Sequence, residues 1–206
     1  GSALEPKPAM TDVARDAALV EGVDFEYSYA DNTNVGTATV TITGMDNYAG
    51  TVSSTFEIVA KEMTTSSIDI AEIGDLTYIG SALEPKPVVT DVARSVVLVE
   101  GVDFEYSYAD NTNVGTATVT VTGVGNYVGT VSETFEIVAK QMTTASIDIA
   151  AIGNLAYTGS AIEPKPVVTD VARAVVLVEG MDFEYSYANN VNTGLANLTI
   201  TGIGNY

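Results

Sequence analysis

Phe104-Glu105-Tyr106-Ser107-Tyr108, then Asp110-Asn111-Thr112-Asn113-Val114-Gly115, then Thr116-Ala117-Thr118-Val119-Thr120-Val121-Thr122: this stretch decides the fold. Rings fall at every second position of the first segment, so a strand gathers them on one face. The Asp/Asn/Gly-rich middle is a turn by composition. The last segment alternates without a break, Ala and Val on one side and Thr on the other, as a half-buried strand does.

Outward from there the pattern continues. Ser67–Ala71 alternates polar and apolar, and Asp75–Tyr78 reads as a second short strand. Glu84-Pro85-Lys86-Pro87 must be an edge or crossing connection, because proline cannot donate to a ladder. Val88–Thr90 and Val96–Val99 are rich in β-branched residues, and Glu100-Gly101 turns into Phe104. Gly123 to Gly129 frames a turn around Asn126-Tyr127, and Thr134–Val138 closes the set with Phe135 and Ile137 inward. No stretch has helical periodicity. The expected fold is all-β, a small antiparallel β-sandwich, with a small barrel as the alternative.

The same text occurs three times. Gly1–Pro8 returns at Gly80–Pro87 and, with Ile for Leu, at Gly159–Pro166, a period of 79 residues without insertion or deletion. This is longer than most solenoid units and suits a string of small, separately cored domains. The partition is 1–65 for a first repeat lacking its opening strands, 66–142 for a complete repeat, and 143–206 for a third lacking its last strand. Incomplete sandwiches expose strand edges, so the ends are candidates for pairing between molecules. The joints Ala60–Ser66 and Ala139–Ala145 are short and hold no Gly or Pro, which predicts a semi-rigid array with Met63 and Met142 as gap-fillers. Strands of seven to nine residues make each unit about 25–40 Å long, so reach would scale with copy number.

Composition narrows function. The net charge is −19 with eight Lys and Arg, which argues against nucleic acid and anionic membrane as direct partners. No apolar run is long enough to span a bilayer. Cysteine, histidine and tryptophan are absent, removing disulfides, thiolate metal sites and the commonest general base. That weighs against an enzyme.

Leu98-Val99-Glu100-Gly101-Val102-Asp103-Phe104-Glu105-Tyr106-Ser107-Tyr108, Asn111 to Gly115, Thr116 to Thr122 and Gly125–Thr130 together resemble the tandem immunoglobulin-like repeats of bacterial cell-surface and adhesin proteins. Tyr157-Thr158-Gly159 and Pro164-Lys165-Pro166 are similar to that family's opening. The resemblance covers essentially the whole chain. It implies an extracellular stalk, spacer or filament-forming array, or else an adhesive module contacting a glycan or a host or cell-surface protein. It implies no particular ligand. Copy three departs at Asn189, Leu195 and Asn197.

Several residue sets are candidates for more than structure. Asp24, Asp31 and Asn34, and their equivalents Asp103, Asp110 and Asn113, offer hard oxygen ligands for calcium; Asn32 and Asn111 adjoin them. Copy three carries Asp182, Asn189, Asn190 and Asn192. No D-x-[DN]-x-[DN]-G loop is present, and turn chemistry alone accounts for such residues. No other cofactor is implied. Tyr48, Tyr127 and Tyr206, each in its turn, are expected to be exposed contact residues. A Glu100–Asp103 carboxylate pair is the weak hydrolytic alternative. Lys86 and Lys140 read as solvated rather than as partners in an isopeptide crosslink. The outward row Thr37, Thr39, Thr41 and Thr43 reads as an ordinary solvated strand face.

Overall fold

The structure is a computed structural model describing residues 1–206. It is all-β, without a helix, and is built of several small sheets. Copy one holds β1 (Thr11–Asp12), β2 (Ala17–Ala18), β3 (Phe25–Ala30), β4 (Gly36–Gly44), β5 (Thr51–Ile58) and, in the joint, β6 (Lys61–Glu62). Copy two opens with β7 (Ile68–Ile70), β8 (Leu76–Thr77), β9 (Val89–Asp91) and β10 (Val96–Val97). It continues with β11 (Phe104–Ala109), β12 (Gly115–Gly123), β13 (Tyr127–Val128) and β14 (Thr130–Val138). Copy three holds β15 (Ile147–Ile149), β16 (Val168–Asp170), β17 (Val175–Val176), β18 (Phe183–Ala188) and β19 (Asn197–Gly202).

The chain forms two compact units, and the middle copy is shared between them. Unit one comprises 1–69, 89–106 and 121–131; unit two comprises 70–88, 107–120 and 132–206.

In unit one, β3, β4 and β5 make an antiparallel sheet with Phe25 opposite Gly44 and Thr37 opposite Glu57. The alternation along β4 works as read: Ala38, Val40 and Ile42 are buried, and the Thr side chains between them face outward. Those threonines are not idle, since Thr37 Oγ1 donates to Glu57 at 2.6 Å and Thr41 bonds Ser53 at 3.0 Å. Phe25, Val40 and Ile42 form one core cluster of this unit, with Met10, Leu19, Tyr27, Tyr29 and Phe56 packed around it, and the unit also buries Met63, Ile68, Val89, Leu98 and Phe104.

The core of unit two gathers Tyr78, Ala117, Phe135, Ile137, Ile147, Val168, Leu177, Phe183 and Tyr206, with Met142 against it. β15, β16 and β17 pair antiparallel, as do β18 and β19. The strand rings behave as core with hydrophilic tips. Tyr29 OH donates to the Pro6 carbonyl at 2.9 Å, Tyr108 OH to Pro85 at 2.8 Å and Tyr187 OH to Pro164 at 2.8 Å. Proline lacks a donor but keeps its acceptor, so the tyrosines latch the proline-rich connection in each copy.

Two pairings depart from the antiparallel expectation. β13 runs parallel to β6, and β14 runs parallel to β8, with Ile137 opposite Leu76. Each involves a two-residue strand, too short to carry a periodicity of its own.

Candidate functional site

The joint and the Asn-Tyr turn, read above as connector and exposed loop, form the most elaborate polar site in the chain. In unit one, Lys61 N–H donates to the Asn126 carbonyl at 2.9 Å and Met63 N–H to Val128 at 2.7 Å, holding the joint parallel to β13. This register aims the Lys61 side chain at Asp91. Its ammonium donates to Asp91 Oδ1 at 2.6 Å. Tyr127 OH donates to Oδ2 at 3.0 Å, the Arg94 amide donates to Oδ1 at 3.2 Å, and Arg94 Nη1 donates to the Tyr127 oxygen at 2.8 Å. Asp91 is 0 % exposed. An isolated buried carboxylate would be prohibitively costly, so its complete set of donors is what makes burial tolerable.

One period later, unit two repeats the arrangement. Lys140 donates to both Asp170 oxygens at 2.6 and 2.7 Å, Tyr206 OH donates to Oδ2 at 2.9 Å, and the Arg173 amide donates to Oδ1 at 3.2 Å. Arg173 also reaches the Tyr206 oxygen at 2.6 Å and lies over the Tyr78 ring, 5.2 Å from its centre. Asp170 is likewise 0 % exposed.

Burial pushes both carboxyls up, but the lysine and tyrosine donors and the arginine amide outweigh it, leaving Asp91 and Asp170 below the usual carboxylate range. The phenols respond oppositely. Burial, then the Asp170 carboxylate, pushes Tyr206 up to about 12, and Tyr127 is raised for the same reasons.

Copy one holds only part of this set. Tyr48 OH donates to Asp12 Oδ2 at 3.1 Å, and the amides of Ala14 and Arg15 donate to Oδ1 at 3.0 and 3.2 Å. Arg15 lies 3.4 Å from Oδ2, but no lysine reaches this carboxylate.

A second contact joins consecutive copies beside the first. Asn126 Oδ1 accepts the Val35 N–H at 2.8 Å, which fixes the amide's orientation and directs Nδ2 to Asn34 Oδ1 at 3.0 Å. Asn205 does the same with Val114 at 2.9 Å and Asn113 at 3.1 Å.

These findings revise several sequence expectations. Tyr127 and Tyr206 are 4 % and 8 % exposed, not exposed contact residues; only Tyr48 keeps partial exposure. Lys140 is not solvated but bound to Asp170. Among the candidate calcium ligands, Asn34 and Asn113 accept hydrogen bonds from the next copy's asparagine. Asp24 and Asp103 accept the Val20 and Val99 amides at 2.8 and 2.9 Å, capping their own turns. Asp31 and Asp110 sit at φ 55°, and copy three places Asn189 there at φ 57°, a left-handed conformation both residue types tolerate. Asn32 and Asn111 donate to the Leu4 and Leu83 carbonyls at 3.0 and 2.9 Å. Nowhere do three acidic side chains converge.

No family model, curated protein or solved structure matches the chain.

Proposed function

We propose that the chain is a structural segment of an extracellular bacterial surface protein, a tandem array of immunoglobulin-like β-sandwich repeats acting as a stalk or spacer. The observation that carries this reading is the recurrence of the joint. The Lys–Asp–Tyr–Arg cluster and the Asn–Asn contact reappear one 79-residue period apart, with the same residue pairs in each. A joint held at both its backbone and its side chains restrains each copy against the next, as a semi-rigid spacer needs. Both buried carboxyls are held below the usual range, whereas hydrolytic chemistry uses one raised toward neutrality.

Small-angle scattering tests it, on the chain and on the Lys61→Ala/Lys140→Ala double variant, with calcium and with chelator. The expected result is an extended, concentration-independent particle, indifferent to chelator, whose distance distribution broadens in the variant. A compact wild-type particle, or a variant with an unchanged profile, overturns the spacer reading. Collapse on chelation replaces it with a calcium-dependent adhesive module.

A further inference from the structure

Copy two is entered and left through strands that run the same way. β8, early in the copy, pairs parallel with β14, its last strand, with Leu76 opposite Ile137 and Thr77 opposite Val138. The Tyr78 N–H extends the pair by donating to the Val138 carbonyl at 2.9 Å. On its other side β14 is bonded to β12, where Thr116 Oγ1 donates to Glu136 at 2.6 Å and Thr120 bonds Ser132 at 3.0 Å. The joint has the same sense in unit one, since β6, through which the chain enters the copy, lies parallel to β13.

Direction decides how such a pair fails under tension. A pull along the chain draws β8 back by its N-terminal end and β14 forward by its C-terminal end. Parallel strands drawn this way slide past each other, and all the bonds between them are strained at once. Drawn apart from one common end, they open one bond after another. Side chains oppose the sliding as well. Phe135 and Ile137 are buried, Tyr78 lies beside them in the core of unit two, and Leu76 packs against it. Because strand faces alternate, a slip of one residue would turn Ile137 out and bring the Glu136 carboxylate in, a costly exchange. We infer that the β8–β14 pair is a mechanical clamp, the element of copy two that withstands tension carried along the chain. This role rests on the spacer reading, since a stalk under pull must hold at each copy.

The test is single-molecule pulling on the whole chain in two directions. The chain has no cysteine, so an introduced pair makes unique handles. Asp75→Cys with Gln141→Cys loads opposite ends of the two strands, and Ser81→Cys with Gln141→Cys loads the same end; all three positions are exposed. The first pair should rupture at a force several-fold higher than the second. Equal forces, or the reverse order, overturn the clamp. Forced rupture follows the unfolding barrier rather than equilibrium stability, which gives a second readout with the first handle pair. Leu76→Ala should lower the force, whereas Leu98→Ala, buried in unit one, should lower the melting temperature and leave the force unchanged. If Leu98→Ala lowers the force as far as Leu76→Ala does, resistance merely tracks overall stability and the clamp is overturned. Failure of the spacer reading shows separately, in the scattering of chains under no load.

Discussion

Asp12 and Asp170 occupy the same position of the repeat, yet they are different acids. Both accept a tyrosine hydroxyl and the amide of the arginine three residues on. Only Asp170 also holds a lysine, and only Asp170 is fully buried; the Asp12 side chain keeps 14 % exposure. The tyrosine follows its aspartate, with Tyr206 buried and Tyr48 half-buried. The comparison teaches that the joint lysine belongs physically to the repeat after it. The cluster's identity is local, but its burial depends on a residue 30 positions upstream.

The sharpest way to break this comparison is to remove the carboxylates. Asp170→Ala strands the Lys140 ammonium and the Tyr206 hydroxyl in unit two and should cost about 3–5 kcal/mol in urea unfolding. Asp12→Ala should move the transition far less, and equal shifts would show that the lysine is irrelevant.

Removing the lysines grades the effect. Lys140 is 17 % exposed and Lys61 is 35 % exposed, so solvent screens the second pair more. Lys140→Met should cost about 2–3 kcal/mol, and Lys61→Met about 1 kcal/mol once screening is discounted. The order, measured by the same unfolding, is what matters.

Tyr206→Phe removes one hydroxyl shared by Asp170 and Arg173 and should cost about 1–2 kcal/mol. Tyr48→Phe, with longer bonds, should cost less. The same tyrosine predicts an alkaline arm. Because its folded pKa is raised to about 12, the fold retains the proton that the unfolded chain releases near pH 10. Stability is therefore full below pH 10 and falls as pH rises toward 12, and Tyr206→Phe should flatten this fall in a pH series of melting curves.

The aspartates predict the acid arm, with opposite sign. Their folded pKa values lie below the unfolded ones, so their contribution is present above about pH 4 and is lost as pH falls through the folded value. Acid unfolding of Asp170→Asn should show a weaker pH dependence than wild type. Asn205→Ala should also have a small effect, about 1 kcal/mol from two neutral hydrogen bonds. Its signature is faster amide exchange at Val114.

Much of the fold was legible because it follows alternation. β4, β11 and β12 run where the Thr/Val and aromatic patterns predict strands, and the left-handed Asp31 and Asp110 sit where Asp/Asn turn chemistry predicts them. Val96–Val99 was legible only in part, since the strand ends at Val97 and only the Leu98 N–H adds a bond beyond it, to the Val89 carbonyl at 2.8 Å. The joint site was not legible. β6 and β13 are two residues each, and a lysine among Ala, Glu and Met looks solvated in any window. Tyr127 misled for a related reason: Gly123 and Gly129 mark a turn correctly, but a turn's composition says nothing about what packs over it.

The sequence by itself determined an all-β chain, its threefold repetition, the turns and the inward faces, because period-two alternation and glycine or asparagine conformations are properties of neighbouring residues. Tertiary structure alone decided which carboxylate is buried, which lysine accompanies it and which tyrosine disappears into the core. Those partners lie 30 and 36 residues apart, and the docking asparagines 92 apart. Ionic and hydrogen-bonding complementarity over such separations leaves no periodic trace; it exists only once backbone pairing has brought the donors to the acid.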